Sequence, residues 1–444
     1  MTKIHFIAMG GAVMHNLALE LLAKGDIITG SDDEIFDPAL SRLKAAGILP
    51  KKFGWYPEKI SNDLDAVILG MHAKPDNPEL IKAQQIGVQI YSFPEYVANQ
   101  SLNKKRVVVA GSHGKTTCTA MLMHILKENE VDFDYLVGSM IQGYDRMVKL
   151  SDAKIILIEG DEYLSSPLDR RSKFLHYNPD FSMITGVAWD HINVFPTFDS
   201  YLGTFKQFIT STQRGFYFAK DEHLVELTKG AAGWGSYSEE WHQSLGGGRT
   251  LIKTNQGEFQ MPFFGLHNIQ NASGVVQLAS ELGISISSAW GALESFPGTA
   301  KRLEVIHQDD RHTIYRDFAH APSKLGATVN AVRNEYKESV FTAVFEVHTF
   351  SSLQTGFMEH YKGLMSEADH AYVLYDPHVF EMKGMEVPSI EKIRSAFGDV
   401  DVFSNAKVLE ELVHKEIQQA KTKGNHQVLL WMSSGQLGGI NLIP

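Results

Sequence analysis

An α/β protein of three units, each built on a parallel sheet with covering helices, is what this sequence predicts. Short apolar runs alternate with helical stretches along nearly the whole chain, the pattern of a doubly wound sheet. The run Val107-Val108-Val109-Ala110 breaks into Gly111-Ser112-His113-Gly114-Lys115-Thr116-Thr117 and then into an amphipathic helix. Length is the third observation, because 444 residues exceed the roughly 250–300 that one hydrophobic core organises.

The first unit, residues 1–103, reads as strand and helix in turn. Strands are expected at Ile4–Ala8, Ile27–Gly30, Ala66–Leu69 and Val88–Tyr91, and helices near Met14–Leu22, Pro38–Ala46 and Pro78–Gln85. Gly10-Gly11 follows the first strand and Gly30-Ser31-Asp32 the second. In such sheets ligands bind beyond the strand carboxyl ends, which makes Gly11, Ser31 and Asp32 candidate contacts. A tight turn alone also explains the glycine pair.

The polar stretch Asn99–Lys105 reads as a linker, and the second unit, residues 104–297, carries the glycine loop. Further strands are expected at Ile155–Ile158 and Phe181–Ile184, with helices after Phe198 and His267. Residues 215–262, with Gly246-Gly247-Gly248, suggest a small antiparallel excursion. The third unit, residues 298–444, opens after Phe296-Pro297-Gly298 and again looks doubly wound. Its strands are Glu304–Ile306, Thr313–Tyr315, Val340–Phe345, Ala371–Leu374 and Val428–Trp431, with helical stretches at Phe357–Glu367 and Val408–Lys421.

The loop between Val107 and Thr117 is the strongest chemical signal. Glycines let backbone N–H groups close around phosphate oxygens, the helix N-terminus adds positive dipole, Lys115 reaches the terminal phosphates and Thr116 supplies a hydroxyl to magnesium. The generic phosphate-loop pattern requires glycine where Val109 stands, so the match is to a narrower form. Glu159-Gly160-Asp161-Glu162 follows the next strand, where a carboxylate beside a phosphate loop builds a magnesium site. Trp189-Asp190-His191 ends another strand, and His191 is placed to hold a second metal or orient a phosphate.

Gly265-Leu266-His267-Asn268-Ile269-Gln270-Asn271 opens a helix. Capping accounts for one asparagine; His267, Asn268 and Asn271 together suit a base edge. Arg302 offers a charge to phosphate, and Asp317, in Asp317-Phe318-Ala319-His320, a carboxylate to a ribose hydroxyl.

Composition removes several classes. A net charge of -11 argues against nucleic acid, which needs a clustered basic surface. Cys118 is the only cysteine, so no intrachain disulfide or cysteine-based zinc site forms, and a cytoplasmic setting is expected. No run approaches the roughly 18 apolar residues of a membrane span. Oligomeric state is not encoded in any visible pattern.

Taken in order, Gly-Ser-His-Gly-Lys-Thr-Thr, Glu-x-Asp-Glu, Asp-His, Gly-x-His-Asn-x-x-Asn-Ala, then Arg and Asp-Phe-Ala-His-x-Pro, the chain resembles the Mur ligase family. The resemblance implies a Rossmann-like N-terminal domain for the UDP-sugar, a central P-loop ATPase domain and a Rossmann-like C-terminal domain that closes on ATP and the amine substrate. It implies ATP and Mg2+ as cofactors. Gly111 to Thr117 would bind phosphate, with magnesium at Thr116 and Glu159. His191 would serve a second magnesium, and His267, Asn268, Asn271, Arg302 and Asp317 would contact ATP. Lys115, Glu159 and His191 are then the catalytic set. UDP-N-acetylmuramate is the implied carboxylate donor.

The amine partner is an amino acid or peptide. The connection Tyr163 to Asp180, with Asp169-Arg170-Arg171-Ser172-Lys173-Phe174, is similar to the branch that attaches L-alanyl-γ-D-glutamyl-meso-diaminopimelate, and L-alanine is the alternative. His348, in Phe345–Leu353, is the candidate contact to that substrate. Lys206 stands where some members carry a carbamylated lysine, though a surface helix lysine is the simpler reading.

The chain also departs from the family pattern. Ala8 replaces a glycine, His15-Asn16 a small pair, Ala321 the second histidine of Asp-x-x-His-His-Pro, and Arg316 a common aspartate, while Phe345–Leu353 lacks arginines. A GTPase or motor P-loop protein is disfavoured by the loop mismatch, and a non-catalytic relative by the presence of Lys115, Glu159 and His191.

Overall fold

Four parallel strands in the order β2-β1-β3-β4 form the first sheet of the computed structural model, which describes residues 1–423 and 426–443. They are β1 (Lys3–Ile7), β2 (Ile27–Ser31), β3 (Ala66–Leu69) and β4 (Ile90–Ser92), joined by α1 (Ala12–Ala23), α2 (Ala39–Ala45) and α3 (Pro78–Ile86). The alternation in sequence is thus the alternation in space. Helix α4 (Phe93–Gln100) is a correction: the expected linker begins at Asn99, yet the helix runs to Gln100, and at its start Ser92 and Glu95 close a capping box that satisfies N–H groups otherwise without partners. Lys105 belongs to the next strand.

The second sheet has seven strands in the order β11-β10-β9-β5-β8-β6-β7. In chain order these are β5 (Lys105–Ala110), β6 (Asp134–Leu136), β7 (Val148–Lys149), β8 (Ile155–Glu159), β9 (Phe181–Ile184), β10 (Arg214–Phe218) and β11 (Trp234–Tyr237). All neighbours are parallel except β6 and β7. Helix α5 (Lys115–Glu128) follows the glycine loop, and its Cys118, Ala120, Met121, Leu122 and Met123 are all buried. A helix apolar on this much of its circumference belongs inside a sheet-covering layer. Helices α6 (Phe198–Ser211) and α7 (Glu222–Thr228) complete the covering layer.

The expected antiparallel excursion is β12 (Trp241–Gly246), β13 (Arg249–Thr254) and β14 (Gly257–Met261). Helices α8 (Leu266–Glu281) and α9 (Ile286–Leu293) follow. The last sheet is six-stranded, β15-β16-β20-β17-β18-β19, with only β15 antiparallel to its neighbour. Its strands are β15 (Glu304–Gln308), β16 (His312–Asp317), β17 (Val340–Val347), β18 (His370–Tyr375), β19 (Asp401–Phe403) and β20 (Gln427–Met432). Phe345 and Trp431 are fully buried on its two faces, each worth roughly 3–5 kcal/mol on truncation to alanine. The stretch Phe357–Glu367 is not one helix: a short helix ends at Met358 and a single 3-10 turn, Glu359–Tyr361, gives way to a left-handed Gly363.

The chain clusters into two compact units. Unit 1 comprises Met1–Val187, Asp199–Ser238 and Gly274–Ala292, and unit 2 Ala188–Phe198, Glu239–Ser273 and Leu293–Pro444. The first two sheets therefore share unit 1. The antiparallel excursion, expected with the central unit, clusters instead with the last sheet, where Phe264 meets Tyr315 edge-on at 5.6 Å and Glu335 accepts from Ser244 and the Gly248 N–H, each at 2.8 Å.

Candidate active site

The glycine loop is shaped by its neighbours in unit 1. Gly111 adopts φ +130, and a Cβ there would lie 2.1 Å from Thr185 Oγ1. Ser112 N donates to the Gly186 carbonyl at 2.9 Å, and the Thr185 hydroxyl donates to the carbonyl of His113. Gly114 takes φ +77 at the N-cap of α5, a conformation for which glycine has no steric cost. Lys115, Thr116 and Thr117 then form the first helical turn, leaving backbone donors oriented towards an anion.

Lys115 Nζ donates to the Gly111 carbonyl at 2.6 Å and to Glu162 Oε2 at 2.7 Å. Burial lowers the ammonium's pKa, but the carboxylates of Glu162, Asp161 and Glu159 outweigh it and hold it above the ordinary lysine value. Glu162 is fully buried and accepts from Tyr201 Oη at 3.1 Å, while Ser112 Oγ lies 2.8 Å from that hydroxyl. Asp161 accepts from Lys173 at 2.5 Å. Tyr201 is not legible in sequence as a site residue, since there it is one aromatic among several on an amphipathic helix.

Thr116 Oγ1 donates to Glu159 Oε1 at 2.6 Å, and the Gly138 N–H holds Oε2 at 2.8 Å. The Glu159 carboxylate at the end of β8 and the Thr116 hydroxyl in the first turn of α5 are hard oxygen donors, the type magnesium takes. Among the described residues no group of three His, Cys, Asp or Glu is arranged to hold a metal alone. Thr116 and Glu159 are the residues that would hold magnesium beside the loop.

Unit 2 holds the candidates His191, His267, Asn268, Asn271, Arg302 and Asp317. Asp317, at the end of β16, accepts from the N–H groups of Leu303 and Ala319, both at 2.7 Å. It thereby pins the turn carrying Arg302, where Lys301 and Leu303 take φ +56 and +46. The Arg302 guanidinium lies 4.9 Å from the Phe318 ring centroid. Burial, with the nearby Arg302 charge, brings His267 down to about 4, so it is neutral near pH 7. Asn268 Nδ2 donates to the Phe264 carbonyl at 2.9 Å, and Asn271 is buried. His191 takes φ +54, and its N–H donates to Asp190 at 2.7 Å.

Comparison with known proteins bears on this arrangement. The Mur ligase middle domain model matches residues 109–279, and the Mur ligase family catalytic domain model residues 3–105. A UDP-N-acetylmuramate–L-alanine ligase from Sulfurihydrogenibium is 30% identical over 98% of this chain and 95% of its own length. The chain belongs to the Mur ligase family.

Two solved structures share this Mur ligase fold. A murein peptide ligase from Psychrobacter arcticus superposes with TM-score 0.67 at 22% identity, covering 99% of this chain and 97% of the other. The UDP-N-acetylmuramate–alanine ligase of Thermotoga maritima gives 0.71 at 21%, covering 98% and 96%. This Mur ligase is thus an ATP-dependent carbon–nitrogen ligase of peptidoglycan synthesis with the family's three-domain α/β architecture. No described helix is long and apolar enough to cross a membrane.

The departures from the Mur ligase pattern have local consequences. Ala8, in place of glycine, is held at φ +64, and its N–H and that of Met9 both donate to the Ser31 carbonyl. Asp32 accepts the Gly10 N–H at 2.6 Å, and Lys59 donates to Ser31 Oγ at 2.9 Å, so Ser31 and Asp32 brace the turn that ends at Gly11. Burial pushes the Asp32 carboxyl up to about 6. His15 Nδ1 bonds the Gly11 carbonyl at 2.9 Å, and Asn16 accepts from the Met147 N–H at 3.1 Å. His348 is half-buried, and a Cβ on Gly435 would come within 2.9 Å of its Nδ1. Lys206 is an exposed lysine on α6.

Proposed function

We propose that this Mur ligase transfers the γ-phosphoryl group of ATP to the carboxylate of UDP-N-acetylmuramate, and that the amine of L-alanyl-γ-D-glutamyl-meso-diaminopimelate then displaces phosphate to form the amide. In the first step the carboxylate oxygen bonds phosphorus and ADP leaves. In the second the amine nitrogen bonds the acyl carbon, the acyl phosphate C–O bond breaks, and the amine loses its proton. The single observation supporting the phosphoryl step is Lys115, half-buried in the glycine loop beside Thr116 and paired with the buried Glu162.

Each group has a role in this reading. Lys115 and the loop N–H groups hold the phosphates and offset charge that develops on them, and such preorganised electrostatics dominate phosphoryl transfer. Thr116 and Glu159 would hold Mg2+, which when bound would neutralise phosphate charge. His267, Asn268 and Asn271 would meet adenine, Arg302 and Asp317 phosphate and ribose. Gly11, Ser31 and Asp32 would face the UDP-sugar. The third domain would take the amine near His348, where Glu346 and Ser433 also stand at strand carboxyl ends.

The ground for the tripeptide is the resemblance in sequence of the Tyr163–Asp180 connection to that branch of the family, and the connection is a folded element. Leu164 and Ser172 form an antiparallel bridge, Ser165 Oγ donates to the Arg171 carbonyl at 2.7 Å, and Phe174 stacks on Phe208 at 4.6 Å. L-Alanine is the second reading, favoured by the printed name of the Sulfurihydrogenibium relative. Phosphate release with ATP, Mg2+ and UDP-N-acetylmuramate, with each amine in turn and product mass recorded, tests both. Turnover with the tripeptide alone supports the first reading; turnover with L-alanine alone replaces it.

A further inference from the structure

Asp190 and Lys324 form a buried charge pair within unit 2 that the roles above do not use. Lys324 lies in the first turn of α10 (Pro322–Glu335), a turn with no acidic residue. The positive end of the helix dipole disfavours a cation there. The side chains of Lys324 and Asp190 are only 16% and 10% exposed, with Nζ 4.0 Å from Oδ2. Desolvation and the helix thus both oppose this ammonium, and Asp190, with the Asp317 carboxylate also in electrostatic reach, offsets them.

Two further contacts aim the pair. His320 Nδ1 lies 2.8 Å from the Phe318 carbonyl, so that nitrogen carries the proton, and Nε2 accepts from Lys324 Nζ at 3.3 Å. Tyr361, fully buried, donates to the His320 carbonyl at 2.5 Å. A fixed neutral imidazole therefore limits where the ammonium can go. Asp190 Oδ1 in turn accepts the His191 N–H at 2.7 Å and the Ser351 hydroxyl at 3.5 Å. His191 holds φ +54, a region that residues with side chains enter rarely and keep only when their surroundings enforce it.

We infer that Lys324 is a positioning residue: its charge holds Asp190, and Asp190 holds the left-handed turn that presents the His191 imidazole. The inference rests on the role that the family resemblance implies for His191, holding a second magnesium beside the nucleotide. Loss of the Lys324 charge releases Asp190, and the His191 turn relaxes towards an ordinary backbone conformation. Lys324→Arg retains the charge, whereas Lys324→Gln retains a donor for His320 without it.

The test uses the full chain with a non-hydrolysable ATP analogue and Mn2+ as a spin probe, free Mn2+ being read by electron paramagnetic resonance and folding by circular dichroism. His191→Ala and Lys324→Met are expected to weaken Mn2+ binding by about tenfold, the scale for groups that orient a metal's ligands. Lys324→Gln should behave like Lys324→Met, and Lys324→Arg like the unaltered chain. If His191→Ala weakens binding while a folded Lys324→Met or Lys324→Gln does not, the inference is overturned. If His191→Ala has no effect, the role of His191 fails and the inference with it. A purely structural role would lower the melting temperature of the Met and Gln variants and leave Mn2+ affinity unchanged, which also overturns it.

Discussion

Lys115 Nζ and Glu162 Oε2 stand 2.7 Å apart, with the carboxylate wholly removed from solvent. Removing one partner of such a pair leaves the other as an uncompensated buried charge, at a cost of roughly 3–5 kcal/mol. Lys115→Met should therefore both abolish ATP-dependent ligation and lower stability. The double variant Lys115→Met with Glu162→Gln should recover most of the stability and none of the ligation. Denaturant melts and phosphate release separate the two effects, and ligation by either variant contradicts the role of Lys115.

Gly111 and Gly203 should respond oppositely to alanine. At Gly111 the φ is +130 and a Cβ would lie 2.1 Å from Thr185 Oγ1 and 3.0 Å from the Thr185 backbone nitrogen. Overpacking of that kind destabilises by about 1–3 kcal/mol, and the loop N–H groups would no longer converge on phosphate. Gly203 lies inside α6, where an added methyl would meet nothing within 4 Å, so alanine there should stabilise by about 1 kcal/mol through helix propensity. Equal unfolding midpoints for the two variants would refute the argument.

Asp32 should titrate near 6 rather than near 4. Burial raises its pKa, while the Gly10 N–H works in the opposite direction. Its folded value thus lies above its unfolded value of 3.8. The stability it contributes is fully present below the unfolded value and lost as pH rises through about 6. Asp32→Asn should lack that loss, so its stability relative to the unaltered chain should improve between pH 4 and pH 7. A carboxyl carbon resonance with a midpoint near 4 would exclude the effect.

Cys118 is fully buried on α5, and burial pushes its thiol well above the ordinary range. A thiol held protonated and out of solvent is a poor nucleophile. The native chain should show almost no reaction with a disulfide reagent at pH 8, and the denatured chain one equivalent of thiol. Fast reaction in the native state would mean that the helix after the glycine loop opens readily.

Much of this fold is legible in sequence because its signals are local. Ala66–Leu69 and Phe181–Ile184 match their expected bounds, since a buried parallel strand is a short apolar run with polar ends. The Phe93–Gln100 helix escapes such a reading because it is short, follows β4 directly and ends in the polar Asn99-Gln100 pair that reads as linker. Phe357–Glu367 misleads because its apolar spacing suits a helix while Gly363 turns the chain.

The alternation of strand and helix, the phosphate loop, and the order of motifs from Gly111 to Asp317 are all encoded in neighbouring residues, so the chain declares them before it folds. Packing of the sheets was needed to establish that Glu162, Tyr201 and Ser112 surround Lys115, that Asp317 braces the Arg302 turn, and that Lys324 faces Asp190. Those pairings join residues far apart in the chain, and the low-dielectric interior that makes them consequential exists only once the sheets have packed.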